Sequence, residues 1–229
     1  MFGEEPLPVL YNERPPYLVP GPDRTVTGLT ADPTAYALRK AGVPFTWAPM
    51  PSARQIRLLQ ENRSRVVAVG WFKNPEREKF AKFSHAIYQD KQIVVLARKG
   101  NQKLSAIKTV AELLNDRSLV FLKKFGYSYG RDLDDRIARE KPLTVQVTVE
   151  NINMIQMLQA QRADYMFIAP EEAGSAITQA GLQASTFQVF SFPDMPQGEK
   201  RYMLFSRLVD DDTLRRVDKA IDEYLAEHH

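Results

Sequence analysis

Residues Gly126-Tyr127-Ser128-Tyr129-Gly130 spell G-x-S-x-G, the strand-to-helix turn that exposes a serine nucleophile in hydrolases. That chemistry needs an acid and then a histidine later in the chain. Only His228 and His229 follow, at an end that reads as the remnant of an expression tag. No H-G-G-G-like oxyanion segment precedes the serine, and a turn in which Gly126 permits the bend and Ser128 caps a helix accounts for the same residues. His85, the one internal histidine, has no second ligand at metal spacing and reads as a packing or hydrogen-bonding residue. Cysteine is absent, which removes disulfides, thiolate metal sites, iron–sulfur clusters and cysteine nucleophiles together. Glu171 and Glu172 open a helix, where acidic side chains suit the positive end of the dipole; Glu171 is also available as an acid. Binding without cofactor or metal is therefore expected over catalysis, with an esterase using Ser128 as the enzymatic alternative.

Aromatic side chains mark where such binding would occur. Tyr11, Tyr17, Trp71, Phe72, Tyr127 and Tyr129 all fall at strand ends or in loops after strands, where open α/β sheets hold ligands. Arg54, Arg57, Arg63 and Arg65 gather within a short stretch, but with Glu61 among them they read as a solvated helix face rather than a nucleic-acid surface. The whole chain agrees: 31 basic against 28 acidic residues leave a net charge of only +3 over 229 residues. A hydrophobic fraction of 44% and a charged fraction of 26% are those of a globular chain. The longest apolar runs, such as 66–72, fall far short of the ~20 residues that cross a membrane. The opening Met1-Phe2-Gly3-Glu4-Glu5-Pro6 lacks the basic and apolar regions of a signal peptide.

The elements that must position these residues alternate. Residues 7–11, 43–47 and 66–69 read as strands, and 33–40 as a helix. A second helix opens at Ser52 with Gln55 as a capping box, and a third runs over 75–83 from Pro75. The pattern repeats with strands at 92–98, 118–122, 143–149, 165–168, 187–192 and 202–205. Between and after them come helices from the Thr109–Glu112 capping box, over 128–140 and 151–161, from Pro170, and after Asp210. Continuous strand–helix alternation predicts an α/β fold with mainly parallel sheets.

The stretch 71–88, WFKNPEREKFAKFSHAIY, resembles the bacterial extracellular solute-binding proteins of family 3, the polar amino-acid receptors of ABC importers. In that family a buried strand leads to a (T/P)-E-R turn, then F-S-x-P-x-Y, then a hinge strand like 92–99. Pro15-Pro16-Tyr17 is similar to the family's P-P-(F/Y), Gly126-Tyr127-Ser128 falls at its G-(S/T)-(S/T) turn, and Ala163-Asp164-Tyr165-Met166-Phe167 resembles (R/K)-x-D-A-x-F. The resemblance implies a two-lobed periplasmic-binding-protein-like fold of type II. Lobe one would hold residues 1–90 and 200–229, lobe two 91–199, with two hinge strands joining them around a solute cleft. It implies that Arg77 grips a ligand carboxylate, as a planar guanidinium does bidentately. Tyr17, Trp71 and Phe72 would form an apolar or stacking wall, with Tyr127, Ser128 and Tyr129 closing from lobe two. Four departures bear on the ligand. Gly70-Trp71-Phe72 replaces small hydroxyl residues, and Ala169-Pro170-Glu171 stands where an acid normally meets the α-amino group. Arg65 stands where the first-lobe strand usually starts with Asp, and Arg14, where the family often has an aromatic, adds a second cation. A carboxylate-bearing solute, an amino acid or related organic acid, is the expected ligand. The expected setting is a periplasmic monomer serving an ABC permease or a membrane sensor. Some relatives of these receptors are dehydratases, a second enzymatic alternative in which Glu171 is the acid.

Overall fold

The computed structural model describes residues 5–228. Residues 1–4 and His229 lie outside them, and with them most of the segment read for a leader and half of the terminal His pair. The chain forms two compact units, one from the segments ending at Gln89 and beginning at Lys200, the other spanning Asp90–Glu199.

The first unit opens with β1 (Leu7–Tyr11), an apolar run whose Leu7, Val9 and Leu10 are buried. A proline loop follows, containing a cis Pro15–Pro16 bond and an isolated bridge between Arg14 and Leu18. β2 (Val19–Pro20) and β3 (Val26–Thr27) pair as a short antiparallel ribbon. α1 (Ala31–Lys40) starts before the expected Pro33, which is tolerated because a first-turn residue has no intrahelical N–H bond to lose. β4 (Phe45–Pro49) and α2 (Ser52–Glu61) come next. The expected capping box of Ser52 and Gln55 does not form. Pro51 takes the cap position, and Gln55 is drawn inward to other partners. β5 (Val67–Phe72) runs three residues beyond the expected strand end. α3 (Pro75–Glu78) is a single turn rather than a helix over 75–83, because the following residues join a sheet as β6 (Ala81–Phe83). β7 (Tyr88–Gln89) ends this first passage.

The second unit contains β8 (Val94–Arg98), α4 (Val110–Asn115), β9 (Phe121–Lys124), α5 (Arg131–Glu140), β10 (Thr144–Val147), α6 (Asn151–Gln159), β11 (Tyr165–Ile168), α7 (Pro170–Gln179) and β12 (Phe187–Phe190). Thr109 caps α4 as expected, its Oγ1 accepting from Glu112 N at 3.1 Å. The sheet order is β10-β9-β11-β8-β12. Alternate residues of β8 feed two cores: Val95 and Ala97 pack with Leu113, Leu133 and Phe121, while Val94 and Leu96 pack with Ile155, Leu158 and Ile177. Helices cover both faces, which is why these strands read as unbroken apolar runs.

The chain returns to the first unit as β13 (Lys200–Ser206) and α8 (Asp211–His228). The first sheet has the order β4-β1-β5-β13-β6, with β7 also paired to β13. The expected parallel arrangement is present in β4-β1-β5 and in β10-β9-β11. The strands nearest the chain crossings add antiparallel pairs, so each sheet is mixed. The crossing segments lie backbone to backbone. Asp90 N donates to Glu199 O at 3.0 Å, and a Cβ on Gly198 would stand 1.8 Å from Asp90 O, so only glycine fits there.

Candidate functional site

Because β4, β1 and β5 are parallel, their carboxyl ends at Pro49, Tyr11 and Phe72 share one edge of the first sheet. Tyr11 is buried there, edge-on to Trp47 at 5.8 Å, and burial first and Glu13 second raise its hydroxyl pKa. β5 carries a bulge at this edge: Trp71 faces Tyr202 and Val69 faces Met203, leaving Gly70 as the extra residue. Gly70 takes φ +81, the left-handed region glycine enters freely, and the bulge re-aims the two aromatics that follow.

Those aromatics receive guanidinium groups. Arg77 is 5% exposed, its Nη1 donates to Phe72 O at 2.6 Å, and its Cζ lies 4.7 Å from the Trp71 ring centroid. Its backbone N donates to Asn74 Oδ1 at 2.9 Å, the cap that starts α3. Trp71 is itself fixed, since its Nε1 donates to Gln55 Oε1 at 3.1 Å while Gln55 Nε2 donates to Met50 O at 2.8 Å. Arg201, which no sequence motif singles out, is 2% exposed and sits 4.1 Å from the Tyr17 ring and 4.6 Å from that of Phe72, donating to Gly70 O at 2.8 Å. Arg14 stands 5.2 Å from Tyr17. Tyr17, Trp71, Phe72, Arg14 and Arg77 thus form one cluster. The rings that were expected to stack on a solute are contacted by the chain's own arginines.

The second unit has its own edge of strand carboxyl ends, at Val147, Lys124 and Ile168. Tyr127 is partly buried, with Lys124 Nζ 5.6 Å from its ring. Lys124, likewise without a motif to mark it, is buried and forms an ion pair with Glu150. Glu171 accepts from Lys91 N at 2.7 Å, and the neighbouring Glu172, 1% exposed, accepts from Asn151. Tyr129 is 3% exposed and packs on Phe121 and Phe167 in the core, and burial pushes its hydroxyl pKa far up. One expectation is corrected here. Ser128 is buried rather than presented, and it does not cap α5, whose cap position is Gly130. Its hydroxyl donates to Asp134 and accepts from Gly130 N, bracing the turn.

In a G-x-S-x-G hydrolase the serine donates to a histidine, and this one donates to the Asp134 carboxylate. The internal histidine is engaged elsewhere: His85 Nδ1 lies 2.9 Å from Asp222 in the first unit. Among the described residues no group of three or more His, Cys, Asp or Glu side chains is arranged to hold a metal, and no helix is long and apolar enough to cross a membrane.

The family model for bacterial extracellular solute-binding proteins, family 3, matches residues 9–228. No curated protein sequence matches. Among solved structures, the chain is similar to the substrate binding protein of an amino acid ABC transporter, with 16% identity, 97% of this chain and 94% of that one covered, and a TM-score of 0.73. It is also similar to holo ArgBP from T. maritima, at 18% identity, 96% and 90% coverage and a TM-score of 0.74. The arginine-, lysine-, histidine-binding protein ArtJ from Geobacillus stearothermophilus gives 15% identity, 97% and 90% coverage and a TM-score of 0.75. At these identities the likeness establishes the fold, a periplasmic-binding-protein-like fold of type II. With the family model matched over nearly its whole length, the chain belongs to the bacterial extracellular solute-binding proteins of family 3.

Proposed function

We propose that this solute-binding protein is a periplasmic receptor for a small carboxylate-bearing solute, an amino acid or related organic acid, which it passes to an ABC permease or presents to a membrane sensor. The observation that carries this reading is the setting of Arg77. A guanidinium at a strand's carboxyl end is oriented by a carbonyl, an indole face and a capped turn, which pre-arranges a planar fork for a carboxylate. In the second unit, Tyr127 and Glu171 follow the carboxyl ends of β9 and β11. The names of the similar proteins, which include an amino acid transporter's receptor and a binder of arginine, lysine and histidine, support the solute class. The protein acts as a monomer without cofactor, and binding rather than catalysis is its role, a reading supported by the bracing bonds of Ser128.

A thermal-shift screen against amino acids, dicarboxylates, aromatic acids and small peptides tests the reading, since a ligand at a hundredfold excess over Kd adds about 2.7 kcal/mol of stability. Calorimetry on the hit should then show a loss of roughly tenfold or more in Arg77→Ala, the scale of a charge-assisted hydrogen-bonded contact. Arg77→Lys, which keeps the charge but not the fork, should lose nearly as much. Unchanged affinity in both variants would remove Arg77 as the anchor.

A further inference from the structure

The carboxyl ends of β4 and β5 lie on either side of β1 and share no strand pairing. One side chain ties them together. Gln55, near the start of α2, has no exposed surface, and both ends of its amide are used. Its Nε2 donates to Met50 O at 2.8 Å, just past β4, and its Oε1 accepts from Trp71 Nε1 at 3.1 Å, in β5. Met50 N in turn donates to Tyr11 O at 2.7 Å, which brings the end of β1 into the same chain of bonds. A buried amide packs no better than a leucine or methionine of similar size, and it costs free energy if either end goes unmet. What it adds is direction.

An indole held at its N–H keeps one plane, and the Arg77 guanidinium lies against that plane, 4.7 Å from the ring centroid. The bond from Arg77 Nη1 to Phe72 O pins one corner of the guanidinium, and the indole face sets its tilt. A bidentate grip on a carboxylate depends on that tilt, because the fork is planar. We propose that Gln55 is a positioning residue for solute binding, which sets affinity without touching the solute by fixing the plane of Trp71 against which Arg77 is held. The proposal rests on Arg77 being the carboxylate anchor.

Gln55→Met, which keeps the volume and loses both bonds, tests it in the full chain by two measurements. The first is nuclear magnetic resonance without ligand, following the Trp71 indole N–H and the Arg77 Nε–H, identified by their loss in Trp71→Phe and Arg77→Ala. Gln55→Met should speed exchange of the indole proton and lower the order parameter of the Arg77 N–H. The second is calorimetry with L-glutamine, L-glutamate, L-arginine and succinate as carboxylate probes. The tightest of them should bind roughly tenfold or more weakly in Gln55→Met. In a Trp71→Phe background the same substitution should change affinity by less than about threefold, whereas a merely structural role would cost the same factor in both backgrounds. Should Gln55→Met fail to fold, as circular dichroism would reveal, Trp71→Phe decides: it removes the same bond from the other end, leaves a ring face, and should reproduce both losses at Arg77. Unchanged affinity in the deciding variant, with binding still lost in Arg77→Ala, would overturn the role of Gln55 and leave the carboxylate-receptor reading standing. Unchanged affinity in Arg77→Ala would overturn both. If none of the four probes binds, the Arg77 signal decides, and an order parameter equal to that of the wild type would overturn the proposal.

Discussion

His85 lies beside two acids of α8. Its backbone N donates to Asp218 at 2.6 Å, its Nδ1 is 2.9 Å from Asp222, and its Nε2 is 3.8 Å from Asp218. The hydrogen bond to Asp222, with the charge of Asp218 behind it, raises the histidine's pKa above its ordinary 6.5, against the opposing effect of partial burial. A histidine with a raised folded-state pKa contributes stability that is fully present below the unfolded value and is lost as pH rises through the folded one. The difference in Tm between wild type and His85→Ala should therefore be largest just below about pH 6.5 and shrink toward pH 8. A constant difference over that range would show that the histidine acts by packing alone. His85 is legible in the sequence as a hydrogen-bonding residue, because an isolated histidine without spaced ligands has few other uses, but its partners lie 133 and 137 residues away and no local pattern names them. Arg201 is hidden for a related reason: inside a strand it looks like an outward polar residue, and only the pairing of β13 with β5 brings it onto Phe72. Tyr129 is likewise drawn into a core cluster of the second unit, which its place in a turn does not announce.

At the scale of elements, the bulge in β5 decides where Trp71 and Phe72 stand. An added Cβ on Gly70 would meet Thr30 Oγ1 at 3.3 Å, and φ +81 is costly for any residue with a side chain. Gly70→Ala should destabilise the protein by roughly 1–3 kcal/mol. Because relieving that strain turns the strand end, solute affinity should fall along with Tm, and unfolding and calorimetry on one variant measure both. A loss of stability with unaltered affinity would mean that the bulge does not set the site. Sequence alone does not reveal the bulge, because a lone glycine in a strand run signals a bulge or a close approach without saying which. The third helix fails for a similar reason. Pro75 marks its start correctly, yet Phe80 and Phe83, which suit a helix face, are claimed by pairing of 81–83 with β13. Strands buried on both faces, such as β11, are the most legible elements, since unbroken apolar runs of about four to six residues fit little else.

For the whole molecule, connectivity sets which parts can stand alone. The second unit is one continuous stretch, with two apolar cores and with its ends joined by the Asp90–Glu199 hydrogen bond, so its excision leaves no dangling strand. The first unit is completed only by the chain's last segment. β13 supplies the inner strand between β5 and β6, with Met203, Leu204 and Phe205 wholly buried, and α8 packs on α1 through contacts such as Tyr36 with Tyr224 at 5.2 Å. Removing that segment would strip β5 of its neighbour and expose its apolar face, a loss far beyond the roughly 5–15 kcal/mol that holds a domain together. A fragment of residues 90–199 should therefore unfold cooperatively in urea and show native-like near-ultraviolet circular dichroism from its buried tyrosines. A chain ending at residue 199 should display only that same transition, with residues 5–89 unprotected in hydrogen exchange. Protection of residues 5–89 in the truncated chain would show that β13 is dispensable to the first sheet and would contradict the central place the strand order gives it.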